Sequence, residues 1–189
     1  MKDPASPIYG CDAFWNTFWN LNQLWALATP DIMNKWVESL LEYYRVGGWL
    51  PNGPPGVEYC DIMGAQHEIP LMVSAYQKGI RNYDVDKAYE AVKKTLTTQG
   101  TALSSGGIVG NRHLDVYLKY GFVPYGEKSH HNVFGTTYEG PTSNTLEYAF
   151  DDWNAAQFAK ALGYEEDYDY FTRRAYNYKN VFDSETKYV

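Results

Sequence analysis

Two carboxylates in the segment TLEYAFDDW could act together, because Glu147 and Asp151 are four residues apart. Side chains at positions i and i+4 share one face of a helix, where like charges repel unless a hydroxyl, a cation or a ligand lies between them. Leu146, Phe150 and Trp153 form an apolar stripe beside the pair. Such a face predicts a site for the hydroxyl groups of a ligand. The alternative is a solvated acidic face at the start of a helix.

A second group of polar side chains comes from a long loop, residues 49–67, which leads into a predicted helix. The loop contains Glu58, Asp61 and His67, and Glu68 follows directly. Carboxylates and a histidine beside aromatic residues can serve as acid, base or hydroxyl-binding groups. The alternative is that Glu68 only complements the helix dipole and that His67 faces solvent.

The run WNTFWN carries the third candidate group. Trp15 and Trp19 are four residues apart, as are Asn16 and Asn20, so a helix here would present an indole row beside an amide row. Asparagine is unfavourable inside a helix because its amide competes with the backbone. We therefore predict a polar pocket wall with stacking platforms. The alternative is that both Trp residues are core and both Asn residues are surface.

Several classes of chemistry lack the residues they need. The adjacent His130 and His131 have no partners at metal-ligand spacing, and no H-E-x-x-H motif occurs. The nucleotide-binding patterns G-x-x-x-x-G-K-S/T and G-x-G-x-x-G are absent, as is the serine hydrolase pattern G-x-S-x-G. Cys11 and Cys60 are too few for a disulfide scaffold or a four-thiolate zinc site.

The amino-acid composition limits the classes of partner that this protein is expected to bind. A net charge of -7 without any basic cluster argues against nucleic acid. No apolar run reaches the roughly 18–20 residues of a membrane-spanning helix, and the start MKDPASPIYG lacks the apolar region of a signal peptide. Aromatic residues make up 17% of the 189 residues, and 18 of them are Tyr. Such rings suit either a tyrosine-rich helical core or sugars, whose C–H faces lie flat on them.

Hydrophobic periodicity predicts six long helices and one short one. They cover 13–28, 30–46, 68–78, 85–96, 114–120, 144–162 and 165–178. Asp12, Thr29 and Asp84 are the predicted N-caps, and glycines are predicted to end most of these helices. The predicted loops between them are 49–67, 97–111 and 122–143. Buried aromatic residues are expected to order the first loop.

The helices are predicted to pair as αα-hairpins. The segments AYQKGIRNYDVDKAYEAV and AKALGYEEDYDYFTRRAY each combine a helix, a glycine, a few polar residues and a second helix. No strict repeat at a fixed period is present, so a tetratricopeptide-type array is the alternative. Unequal hairpins with long loops favour an α/α toroid. The prediction is an all-α chain that forms about half of an (α/α)6 toroid.

Four segments of the sequence resemble glycoside hydrolase family 92. They are GGWLPNG, IMGAQHEIPLMVSAYQKGIRNYDVDKAYEAVKK, YGFVPYG and SNTLEYAFDDWNAAQFAKALGYEEDYDYFTRRAYNYKNVFDSETKYV. The resemblance runs from about Phe14 to Val189. Members of this family are exo-acting, calcium-dependent α-mannosidases that invert the anomeric centre, with an N-terminal β-sandwich and a C-terminal α/α toroid. It implies that residues 1–12 are a lead-in and that residues 13–189 are the first half of the toroid.

The sequence departs from the family pattern at three positions. The family's W-D-T-F/Y-R motif, which helps hold the terminal mannose, corresponds here to Trp15-Asn16-Thr17-Phe18-Trp19. Asn16 replaces the usual Asp and Trp19 replaces the usual Arg, which points to altered mannose binding or to a subgroup with another sugar or linkage. Ser74 also stands where Asp is common.

The family's catalytic segments do not occur in this sequence. These are the E-G-N-x-W-Q-Y-like acid motif, the N-E-P-S-H-H-like calcium segment and the G-N-D/E-D-x-G-Q-like stretch that holds the base. An inverting glycosidase needs two carboxylates about 6.5–9.5 Å apart. The resemblance therefore implies calcium and hydrolysis for the intact enzyme, whereas the chain alone is expected to be inactive, with no catalytic or metal-binding residue of its own.

The implied function is hydrolysis of terminal α-mannosides of glycans, to which this chain contributes pocket wall and scaffold. The implied partners are a mannose-containing glycan, the rest of the catalytic domain and a β-sandwich domain, in an extracellular or periplasmic location. The alternative is a non-catalytic helical module that binds glycans or proteins. The predicted substrate-binding residues are Trp15, Asn16, Trp19, Asn20, Glu58, His67, Glu68, Glu147 and Asp151.

Overall fold

The computed structural model describes residues 8–11, 13–54, 59, 64–104, 108–126 and 140–189. The α-helices of the described residues are α1 Leu21–Ala28, α2 Pro30–Gly47, α3 Glu68–Gln77, α4 Val85–Thr97, α5 Leu114–Tyr120, α6 Pro141–Leu162 and α7 Glu165–Ala175. Two 3₁₀ helices cover Thr17–Trp19 and Tyr176–Val181, and the antiparallel strands β1 Thr101–Ala102 and β2 Ile108–Val109 form one short ladder. The all-α prediction is confirmed.

Helix α6 lies at the centre of the packing. It contacts α7 along much of its length and also contacts α3 and α4, while α2 packs against α1, α3 and α4. The main core between these helices contains Met33, Leu40, Ile69, Met72 and Phe158, all essentially inaccessible to solvent. Each such side chain contributes about 1.5–3 kcal/mol through burial. The core therefore fixes the position of α6, which carries Glu147 and Asp151.

The predicted helix 13–28 is wrong at its start. Asn16 has a left-handed backbone with φ 67°, the single 3₁₀ turn follows, and Asn20 has φ −151° before α1 begins. Asparagine tolerates the left-handed region better than most residues, and its amide competes with helical hydrogen bonds. The two Asn residues therefore break the helix instead of forming a row on it, and Trp15 and Trp19 form no helical row either. The predicted cap Asp12 lies outside the described residues.

Several of the other helix ends follow local rules. Pro30 opens α2, and Gly48 ends it in the left-handed region with φ 78°. Gly121 and Gly163 end α5 and α6 in the same way. Thr29 was predicted to cap α2, but its side chain makes no capping hydrogen bond; its N–H instead donates to the Trp25 carbonyl at 2.9 Å and ends α1.

The predicted N-cap of α4 is confirmed, and it provides a stability test. The Asp84 carboxylate accepts a hydrogen bond from the Lys87 N–H at 2.9 Å. Replacing Asp84 with alanine should lower the free energy of unfolding by about 1 kcal/mol, because one N–H at the helix start loses its acceptor. Asp84→Asn is the matched control, since asparagine caps about as well. Equal urea midpoints for the two variants would contradict the capping role.

The loop after α2 is anchored by Tyr59. Its hydroxyl lies 2.9 Å from the carbonyl oxygens of both Tyr43 and Trp49, to which it can donate. A Cβ atom on Gly47 would collide with this hydroxyl, so any larger residue there would displace the Tyr59 side chain. Trp49 and Leu50 are buried. The described part of this loop is therefore held by the buried Trp49 and the partly buried Tyr59, and residues 55–58 and 60–63 lie outside the described residues.

Asp152 and Arg174 form a buried ion pair between α6 and α7. Arg174 Nη2 lies 2.7 Å from Asp152 Oδ1, and Arg174 Nε donates to Oδ2 at 3.1 Å. The Tyr117 hydroxyl on α5 donates to the same Oδ2 at 2.8 Å. The guanidinium also lies 5.2 Å from the centre of the Tyr170 ring, at cation–π distance. This cluster joins three helices beside the candidate site.

Candidate functional site

Glu147 is held by two donors at a partly exposed edge. Glu147 Oε2 lies 2.8 Å from His67 Nε2, and Oε1 accepts from the Trp15 indole Nε1 at 3.4 Å. The Glu147 side chain is 28% exposed, whereas that of His67 is 2% exposed. Two donors on one carboxylate fix its orientation while part of it still faces solvent. We call Trp15, His67 and Glu147 the carboxylate edge.

The loop corner before α3 positions His67. Ala65 has a left-handed backbone with φ 68°, and its carbonyl accepts a hydrogen bond from the Asn52 amide. The next residue, Gln66, donates its N–H to Asp151 Oδ2 at 2.8 Å. The corner is thus tied to α6 on one side and to the loop after α2 on the other. His67 follows directly and is directed at Glu147.

Aromatic rings support the imidazole of His67 from the side. The Phe18 ring lies 5.3 Å from it with an interplanar angle of 87°, and the Phe150 ring lies 6.1 Å away at 88°. These edge-to-face contacts stabilise the orientation of the ring. On the outer side, Trp15 is 45% exposed and Trp19 is 70% exposed. The carboxylate edge therefore has a packed side at His67 and an indole, that of Trp15, which is accessible to a ligand.

Two further carboxyl groups lie buried behind the edge. Glu68, the first residue of α3, and Asp151 on α6 have no solvent exposure. Both oxygens of Glu68 and Oδ1 of Asp151 lack a hydrogen-bond partner among the other described residues, although the Glu68 N–H acts on its own carboxyl group. Burial raises the pKa of Glu68 well above its usual value and raises the pKa of Asp151 to about 7. The nearby His67 and the Gln66 N–H oppose the rise at Asp151.

His67 is subject to opposing influences on its charge. Burial lowers the pKa of the imidazole, but the hydrogen bond to Glu147 and the charges of Asp151 and Glu147 together raise it above the ordinary value. The imidazolium form therefore gains from both carboxylates on α6. The interaction with Glu147 has the character of an ion pair when His67 is protonated.

The structure places most of the predicted site residues near one another. Trp15, His67 and Glu147 are in direct contact, and Glu68 and Asp151 lie behind them. His67 does not face solvent, and Asp151 does not belong to a solvated acidic face, so these two alternatives are wrong.

Three predicted residues remain less constrained. Asn20 is exposed and Asn16 is partly buried, and both lie in the irregular turn that also carries Trp19. Trp19 directly follows Phe18, whose ring lies 6.2 Å from the indole. Glu58 lies outside the described residues, as does Asp61.

Sequence reasoning missed two contributors to the site. One is the backbone N–H of Gln66, which has no signature in the sequence because any residue except proline offers it. The other is Phe18, whose position in an apolar periodicity indicated a core residue. Only the packing of Phe18 on His67 reveals its role in the site.

Within the described ranges, no group of three or more His, Cys, Asp or Glu side chains is placed to hold a metal ion. The described residues therefore do not fit the calcium site that the resemblance implies for the intact enzyme. None of the described helices is both long and apolar enough to span a bilayer.

Comparison with known proteins decides the family. Residues 1–189 match the glycosyl hydrolase family 92 catalytic domain. The chain belongs to this family. Membership of family 92 accounts for the helical architecture.

Solved structures of family 92 enzymes share the fold. An inverting mannosidase of family 92 from Bacteroides thetaiotaomicron superimposes with a TM-score of 0.82 at 29% identity, covering 95% of this chain and 22% of that protein. An α-mannosidase of the same family and organism gives a TM-score of 0.80 at 30% identity, covering 100% of this chain and 23% of the other. The same α-mannosidase has also been solved in complex with mannoimidazole, with a TM-score of 0.81.

One sequence relative comes from a fungus. The protein named "uncharacterized secreted glycosidase" of Arthroderma benhamiae is 27% identical, covering 92% of this chain and 23% of its own length. The family 92 chain described here thus spans less than a quarter of the length of each of these relatives.

Proposed function

We propose that this chain is part of an exo-acting, inverting α-mannosidase that hydrolyses terminal α-mannosides of glycans. In this proposal, residues 13–189 form about half of an (α/α)6 toroid, with residues 1–12 as a lead-in. The chain supplies scaffold and one wall of the substrate pocket. Family membership and the mannosidases among its structural neighbours support the proposal.

The carboxylate edge is the observation that carries the proposal. A sugar presents hydroxyl groups at its rim and C–H groups on its faces, so it is bound best by an oriented acceptor beside an accessible aromatic surface. Glu147 supplies the acceptor, oriented by His67 and Trp15, and the exposed Trp15 and Trp19 supply the aromatic surface. We assign these residues to the pocket wall.

The remaining predicted residues have two kinds of role in this proposal. Glu68 and Asp151 are buried, so they act on the sugar only through the groups that they support. Asn16, Asn20 and Glu58 stay assigned to the mouth of the pocket. The substitution of Asn16 for the family's usual Asp makes this mouth the place where sugar or linkage preference would differ.

Cleavage is assigned to the whole enzyme. Inversion needs an acid and a base separated by about 6.5–9.5 Å, with a water molecule between the base and the anomeric carbon. Within the described residues, Glu147 is engaged by two donors and Glu68 and Asp151 are shielded from water. We therefore propose that the acid, the base and calcium are held by residues other than these, and that the enzyme acts outside the cell, as the name of its secreted relative suggests.

Binding of a mannoside tests this proposal. Methyl α-mannoside or mannoimidazole should perturb the indole NMR signals of Trp15 in the 189-residue chain. Replacing Glu147 with glutamine should weaken binding roughly tenfold or more, because a hydrogen bond to a charged group is worth about 1.5–3 kcal/mol. An aryl α-mannoside should show no turnover with the chain alone.

The matched control is Glu166→Gln, which removes the same charge from an exposed position on α7. It should leave mannoside binding unchanged. Equal affinities for the wild-type chain and the Glu147→Gln variant would remove Glu147 from the pocket wall. Turnover that persists in both variants would show that the chain carries a catalytic pair that this proposal does not assign.

A further inference from the structure

The buried carboxyl groups of Glu68 and Asp151 are not equivalent, although the charge of Asp151 acts on Glu68. Asp151 has a donor on Oδ2, the Gln66 N–H at 2.8 Å, and lies near the imidazole of His67. Neither oxygen of Glu68 has a donor from another described residue, and the Glu68 N–H opposes the rise in the pKa of this carboxyl group less than burial raises it. A donor and a neighbouring cation stabilise a carboxylate, whereas burial without them favours the neutral acid.

We propose that at and above neutral pH Glu68 holds a proton while Asp151 holds a negative charge, and that Asp151 is thereby a positioning residue which keeps His67 charged and directed at Glu147. The assignment deepens the proposed function, because it explains how the carboxylate edge is oriented from behind. It also explains the burial of two adjacent carboxyl groups, since one neutral and one ionised group avoid the repulsion of two charges.

The surrounding groups are compatible with this arrangement of charge. Glu147 and Asp152 on α6 add negative charge, and the Arg174 guanidinium and the Tyr117 hydroxyl bind Asp152 directly. Asp152 is thus compensated within its own cluster. His67 is the base whose charge acts on Asp151, and the charge of Asp151 in turn favours the imidazolium.

The pH titration of His67 distinguishes the two carboxyl groups. NMR of the 189-residue chain follows the imidazole signals in the wild type and in the Glu68→Gln, Asp151→Asn and Glu166→Gln variants. Asp151→Asn should lower the pKa of His67 by roughly 1 pH unit, because a neighbouring negative charge is lost. Glu68→Gln should change it little, because glutamine resembles the neutral acid. Glu166→Gln should also change it little.

A second measurement needs no folded Asp151 variant. In the infrared spectrum at about pH 8, the wild type should show the C=O band of a protonated carboxylic acid, which Glu68→Gln removes and Glu166→Gln retains. Absence of that band, or a fall in the pKa of His67 in Glu68→Gln as large as in Asp151→Asn, would overturn the proposal. Both readouts are independent of sugar binding.

Mannoside affinity connects the charge arrangement to the site. Methyl α-mannoside should bind Glu166→Gln as tightly as the wild type and Asp151→Asn several-fold more weakly, with a pH profile that follows the titration of His67. If the wild type binds no mannoside while the titration and the infrared band come out as expected, the proposed function fails and the charge assignment stands. Equal mannoside affinities for the wild type and Asp151→Asn would end the positioning role.

Discussion

Replacing Arg174 with methionine is expected to lower the free energy of unfolding by about 3–5 kcal/mol. The substitution leaves Asp152 fully buried with the Tyr117 hydroxyl as its remaining described donor. Even with Arg174 in place, burial raises the pKa of Asp152 to about 7. Without the guanidinium, the Asp152 carboxyl group is expected to take up a proton. The loss of unfolding free energy should therefore be smaller at about pH 5 than at about pH 8. Urea unfolding followed by circular dichroism measures both values.

Arg173→Met provides the control for this prediction. Arg173 precedes Arg174 on α7 but is exposed, so the same change of side chain should alter stability by less than about 0.5 kcal/mol. A variant that combines Arg174→Met with Asp152→Asn should lose less unfolding free energy than the two single variants lose together, because no buried charge is left uncompensated. Wild-type stability of Arg174→Met would contradict a structural role for the pair.

Glu68→Gln is expected to make the protein more stable than the wild type as the pH rises. The pKa of Glu68 is raised in the folded state, so its contribution to stability is fully present below the unfolded value of about 4.5 and is lost as the pH rises towards the folded value. Over that window the wild type should lose about 1.4 kcal/mol for each pH unit relative to the variant. Unfolding curves at several pH values between 4.5 and 8 measure this difference.

Glu166→Gln is the control, because it removes the same charge from an exposed position. Its free energy of unfolding should change with pH in the same way as that of the wild type. The contribution of Asp151 to stability also falls as the pH rises, between about pH 3.8 and its folded pKa of about 7. A difference between Glu68→Gln and the wild type that stays constant with pH would show that Glu68 is ionised in the folded state. Because no ligand is involved, this result does not depend on the sugar-binding proposal.

The helical elements were predictable because their signals are local. Pro30 at a helix start, Gly48 and Gly163 at helix ends and Asp84 as a cap each act through the backbone of their own turn. The break at Asn16 also has a local cause, yet the apolar spacing around it indicated a continuous helix. Here the preference of asparagine for a non-helical backbone outweighed hydrophobic periodicity.

The site could be predicted only in part. Glu147 and Asp151 share a helix face by their spacing, and the sequence alone nominated both, together with His67 and Glu68. Which of them meets solvent depends on the corner before α3, which packs its Gln66 N–H on Asp151 and leaves Glu147 at the edge. Glu147 and Asp151 have the same chemistry and lie one turn apart on α6. They thus acquire different roles because the distant corner before α3 contacts only Asp151 through the Gln66 N–H.

The sequence by itself determined the all-α class, most helix boundaries and the residue types available for sugar binding, because each of these follows from short-range periodicity and turn chemistry. Tertiary structure alone decided that Glu68 and Asp151 are buried, that Trp15 and His67 both donate to Glu147, and that Arg174 compensates Asp152. These contacts join residues between 22 and 132 positions apart. Burial and charge compensation depend on which distant segments of the chain pack together, and local sequence patterns do not predict that packing.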